Sequence, residues 1–113
     1  GNNAGDAFVV ARRLLSDGRR VRVFHLAPTY SGAAGRNFEV LKNLRAKMTH
    51  LENAGEFESF LSSGAGPLTV VDGILGTGLK GPVVGVYCDV IELVNRSSGI
   101  REIVSLDLPS GVC

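Results

Sequence analysis

Two short apolar runs, Leu68-Thr69-Val70-Val71 and Ile103-Val104-Ser105-Leu106, frame a stretch from Pro82 to Asn95. In that stretch Val83, Val86, Tyr87, Val90, Ile91 and Val94 recur at helical spacing. Neither run alternates cleanly with polar residues, so both read as strands buried on two faces. Pro82 suits a first helical position. Strands joined through a helix are normally parallel and connected by a right-handed crossover, so both C-terminal ends fall on one edge of the sheet. Each run is closed by a turn containing Asp and Gly, Asp72 to Gly81 (DGILGTGLKG) and Asp107 to Gly111 (DLPSG). Asp72 and Asp107 are therefore expected to be near neighbours, at the edge where open α/β sheets bind ligands.

A third turn, Gly1 to Asp6 (GNNAGD), opens the chain and leads into a helix read over Ala7 to Ser16, with Gly18 suited to its C-terminal cap. Val21 to Leu26 reads as a strand ended by Pro28. A polar stretch from Thr29 to Gly35 precedes a helix over about Asn37 to Lys47, with Phe38, Leu41 and Leu44 on one face. Glu56 to Leu61 reads as a shorter helix and Ser62 to Pro67 as a loop. The order helix, strand, helix, helix, strand, helix, strand predicts one α/β domain without an internal boundary.

At 113 residues and 44% hydrophobic, the chain can build one core but not two. Twelve Lys and Arg against eleven Asp and Glu leave a formal charge of +1, which favours neither a nucleic-acid nor a membrane partner. Arg19, Arg20 and Arg22 read as a solvated turn and strand edge. Cys88 and Cys113 lack metal-ligand or redox spacing; Cys88 reads as core, and a reducing, cytoplasmic setting is expected. No apolar run is long enough to cross a bilayer. His25 is expected to be packed within its strand, and His50 to be exposed in a connection. The first residue is not Met, and no strand launches the opening turn. A partial domain, truncated at both ends, is therefore expected, with a sheet edge and apolar faces exposed.

The chemistry-bearing residues cluster in the three turns. Asn2 and Asn3 carry amides that donate and accept, and the helix start after them favours an anion such as phosphate; Asp6 alternatively just caps that helix. Asp72 places a carboxylate at the sheet edge. Gly76, Gly78 and Gly81 let the backbone approach a ligand, Thr77 adds a hydroxyl and Lys80 a mobile cation. A flexible glycine loop with a capping aspartate is the plainer reading. Asp107 offers a general acid or base, or a cation ligand, and Ser110 a hydroxyl; a turn without chemistry is the alternative.

In order and spacing these residues resemble the YjeF N-terminal domain family, the NAD(P)H-hydrate epimerases. Its opening glycine-asparagine-asparagine-glycine-glycine-aspartate-glycine turn is met by Gly1-Asn2-Asn3-Ala4-Gly5-Asp6-Ala7, with alanine at two glycine places. If glycine is needed there for positive φ, the Cβ of Ala4 and Ala7 strains the turn. Asp72-Gly73-Ile74-Leu75-Gly76-Thr77-Gly78-Leu79 and Asp107 to Gly111 meet the other two motifs, and the resemblance spans essentially the whole chain. It implies a three-layer Rossmann-like fold with a mainly parallel sheet. The implied enzyme is an isomerase interconverting the R and S forms of hydrated NADH and NADPH. A homodimer is implied, with an NAD(P)H-hydrate dehydratase as functional partner, separate or fused. It further implies a potassium site from Asn3, Asp72 and Ser110. The implied substrate contacts are Asn2, Asn3, Ala4, Gly5 and Asp6, then Gly76, Thr77, Gly78, Leu79, Lys80, Gly81 and Pro82, and Asp107, which is also the catalytic candidate. A non-catalytic nucleotide-ligand-binding or dimerisation scaffold of the same fold is the competing reading.

Overall fold

A computed structural model describes residues 3–64, 66–73 and 82–106. Helices and strands alternate along them: α1 (Asn3–Ser16), β1 (Arg22–His25), α2 (Gly32–Asn43), β2 (Lys47–His50), α3 (Gly55–Ser62), β3 (Leu68–Asp72), α4 (Pro82–Arg96) and β4 (Ile100–Ser105). β1 pairs with β2 and β3 with β4, both parallel, as two two-stranded sheets. The parallel strand, helix, strand pattern is that of a Rossmann-like α/β domain. No helix among the described residues is long and apolar enough to cross a membrane.

Among the described residues, two apolar clusters hold the helices to β1 and β2. Phe8 and Ala11 of α1, Val23 of β1, and Phe38 and Leu41 of α2 form the first, with Leu41 fully buried. Leu26 and Leu51, which follow β1 and β2, form the second with Phe57 of α3 and Val90 and Leu93 of α4. The helical spacing of Val86, Tyr87, Val90 and Val94 thus faces the core, as their periodicity requires. α1 ends in a Schellman motif: the amide of Arg19 donates to Leu14 O and that of Gly18 to Leu15 O, with Gly18 at φ 80°. α2 ends the same way, through Ala46 N to Leu41 O and Arg45 N to Lys42 O, but Arg45 occupies the left-handed position at φ 59°.

Several expectations need correction. Lys47–His50 is a strand, β2, and α2 begins at Gly32 instead of near Asn37. Pairing with β1 through four register positions outweighs the local preference of Lys47–His50, and Gly32 to Gly35, loop by composition, join a helix that buries Phe38 and Leu41. α1 begins at Asn3, so most of the opening turn is its first helical turn. Ala4 and Ala7 therefore lie in a helix, where alanine is favourable and glycine is not needed for φ. β4 is not buried on two faces: Ile103 and Val104, whose side chains leave opposite faces of a strand, are 43% and 41% exposed. A two-stranded sheet leaves such positions without a covering layer.

Candidate functional site

The C-terminal edge of the strands is where the described part of the site assembles. β3 and β4 run in register from Thr69↔Glu102 to Asp72↔Ser105, and the Leu106 amide donates to Asp72 O at 2.9 Å. Asp72 is the last residue of its strand and is half-buried. Asp107 is the next residue of the chain after Leu106; with Ser110 and Gly76 to Gly81 it lies outside the described residues, as do Gly1 and Asn2. Pro82 is the first residue of α4, as its chemistry suggests. α4 runs between two parallel strands, so its N-terminus lies toward their C-terminal edge.

Ala4, Gly5 and Asp6 sit in the first turn of α1. Gly5 is buried against α2, where a Cβ would lie 3.3 Å from both Cα and Cβ of Ala34. Ala4 packs on the cluster that includes Phe8 and Phe38. α2 itself starts after β1, so this contact places the start of α1 beside the start of α2, at the C-terminal end of β1. Asp6 is exposed in the first helical turn, where a carboxylate complements the helix dipole. It is not the residue that precedes the helix.

The C-terminal ends of β1 and β2 hold a feature that the sequence does not advertise. His25 and His50, the last residues of β1 and β2, stack at 5.4 Å between ring centroids with an interplanar angle of 21°. His25 is 8% exposed, in keeping with a packed strand histidine, but His50 is half-buried and not simply exposed. His25 Nδ1–H donates to Ala27 O at 2.8 Å and His50 Nε2–H to Leu26 O at 3.2 Å. Burial lowers the His25 pKa from the ordinary histidine value, the Ala27 hydrogen bond opposes the shift, and His50 adds to it. The Tyr30 hydroxyl accepts from Ala27 N at 3.3 Å, and burial raises its pKa.

Other candidates resolve simply. Arg19 and Arg20 are exposed, whereas the exposed Arg22 lies over the rings of Phe24 and Phe60 at 5.0 and 4.9 Å. A shallow groove of about 650 Å³ runs along α3 beside Arg22, the first residue of β1, and so lies at the other end of β1 from the histidines. Cys88 is half-buried on α4. Among the described residues, no group of three or more His, Cys, Asp or Glu could hold a metal ion.

The sequence model of the family described as "YjeF-related protein N-terminus" matches residues 1–113, the whole chain. The chain belongs to that family. Curated relatives agree. A protein of Rhodopirellula baltica named NAD(P)H-hydrate epimerase is 39% identical over 99% of this chain and 44% of its own length. One of Moorella thermoacetica, named bifunctional NAD(P)H-hydrate repair enzyme Nnr, is also 39% identical, over 99% of this chain and 21% of its own. An epimerase of Elusimicrobium minutum is 35% identical, over 99% of this chain and 50% of its own length. The YjeF-related chain thus spans half or less of the length of these relatives. No solved structure matches it.

Proposed function

We propose that the protein containing this chain is an NAD(P)H-hydrate epimerase, an isomerase that interconverts the R and S forms of hydrated NADH and NADPH in nicotinamide cofactor repair. The observation that carries the reading is the 39% identity, across 99% of the chain, to a protein named for that activity. The location of Asp72 at a parallel strand end and of Ala4 to Asp6 in a helix's first turn supports a nucleotide-type ligand at this edge.

In this reading the backbone of Asn2 to Asp6 and of Gly76 to Pro82 holds the pyrophosphate-bearing substrate, and Lys80 supplies positive charge. Asp107 relays the proton as hydroxide or water leaves and re-adds at the hydrated ring carbon. Asn3 and Asp72, through side-chain amide and carboxylate oxygens, would hold potassium together with Ser110: such oxygens are the hard donors that this cation takes. Bound there, the cation supplies charge and order to the turns. The protein acts as a cytoplasmic homodimer alongside an NAD(P)H-hydrate dehydratase, with which the bifunctional relatives' name is consistent.

The test is the rate of R to S interconversion of hydrated NADPH by the full-length protein, with and without potassium, beside an Asp107→Ala control. Interconversion that the control loses supports the epimerase. Clear binding without turnover overturns it in favour of a ligand-binding scaffold.

A further inference from the structure

The stacked histidines sit where two parallel strands end and a loop begins. Their ring hydrogen bonds go to Leu26 and Ala27, the first two residues of that loop, and Tyr30 closes it by accepting from Ala27 N. Tyr30 then packs edge-on against Phe8 of α1 at 4.9 Å and tilted against Phe38 of α2 at 5.3 Å. One chain of contacts therefore links the histidine pair, the loop from Leu26 to Ser31 and the first turns of α1.

The two hydrogen bonds also fix the tautomers. His25 donates through Nδ1 and His50 through Nε2, so each neutral ring keeps one nitrogen, His25 Nε2 and His50 Nδ1, open to a proton. A proton on His25 puts a charge into a desolvated pocket walled by Tyr30 and Phe38, one ring-stacking distance from His50. Among the described residues, the titratable groups against the pair are few. β2 contributes His50 and the loop contributes Tyr30. From α2 comes the uncharged Phe38, whose ring carries Lys42 at 5.8 Å, and Lys42 is itself paired with the exposed Glu39 at 3.6 Å. α1 contributes Phe8, with its Asp6 exposed.

We propose that the His25–His50 stack is an acid-sensitive fastener, which holds the loop after β1 while the buried His25 ring is neutral and releases it, and with it the start of α1, when that ring takes a proton. It acts on the fold, whatever the site binds. The sign follows from burial: His25 takes a proton less readily folded than unfolded, so its contribution is present above the ordinary histidine value of 6.5 and is lost as pH falls below it.

The test follows amide hydrogen exchange at residues 26–31 and 4–8 of the full-length protein from about pH 8 to about pH 5.5, corrected for the intrinsic rate. Protection in both segments is expected to fall below about pH 6.5, by up to about tenfold per pH unit for each proton taken up. His25→Phe keeps an aromatic ring that cannot charge, and its protection should stay flat over the same range. If that variant does not fold, His25→Gln, which is polar but cannot charge, should show the same flat profile. Protection that is constant in the parent, or that falls equally in the parent and the folded variant, overturns the proposal.

Discussion

The amide of Leu106 donates to the carbonyl of Asp72 at 2.9 Å, extending the β3–β4 pairing one residue past the end of β4. That bond carries the chain leading to Asp107 alongside the strand end that carries the Asp72 carboxylate. Two of the three sequence motifs thus leave the sheet from adjacent parallel strands.

Asp72→Asn keeps size and backbone but removes the charge. If Asp72 holds the cation, the potassium concentration for half-maximal epimerisation should rise by about tenfold or more, equivalent to about 1.4 kcal/mol of lost binding. Titration of the rate with potassium checks it, and an unchanged midpoint removes Asp72 from the cation site.

Gly5→Ala tests the helix crossing. The added Cβ would meet backbone and side chain of Ala34 at 3.3 Å, so α1 and α2 must move apart or shift. A loss of about 1 kcal/mol or more is expected, in line with overpacking elsewhere. The double variant with Ala34→Gly should recover part of it, and chemical denaturation of both decides.

Arg45→Gly should stabilise the protein. The position is left-handed, at φ 59°, and closes a Schellman motif in which glycine has no Cβ penalty. A gain of about 1 kcal/mol, read as a rise in the denaturation midpoint at unchanged slope, is expected.

Leu41→Ala empties the fully buried position of the α1, β1 and α2 core. A loss of about 2–5 kcal/mol is expected, with the cost growing as the cavity fails to collapse. Denaturant unfolding gives the value; a loss below about 1 kcal/mol would mean that neighbouring side chains refill the space.

Local chemistry made much of the fold readable. Gly18 ends α1 and Pro82 starts α4 because glycine takes left-handed φ without a Cβ penalty and proline lacks an N–H that a first helical position leaves unpaired. Val86, Tyr87, Val90 and Val94 lie on the inner face of α4 because a period of 3.6 survives translation into structure. Asp72 was legible as the end of β3 because an apolar run closes there at a glycine turn.

Other features had no local signal. Lys47–His50 reads as polar connection in isolation and becomes a strand because β1 offers it a parallel partner. Gly32 to Gly35 join α2, although two glycines argue against a helix, because the helix that follows buries Phe38 and Leu41. Gly5 matters for a contact with Ala34, twenty-nine residues away, and not for its own φ. Readable from the residues alone were the helices, the strands other than β2, the end of α1, the start of α4 and the identity of the motif residues, since these depend on side-chain shape and backbone preference within a few residues. Only the tertiary structure decided the β1–β2 pairing, the stacking of His25 on His50 and the exposure of Ile103 and Val104. Each depends on which distant segment comes to lie beside or over a residue, and no local preference encodes that.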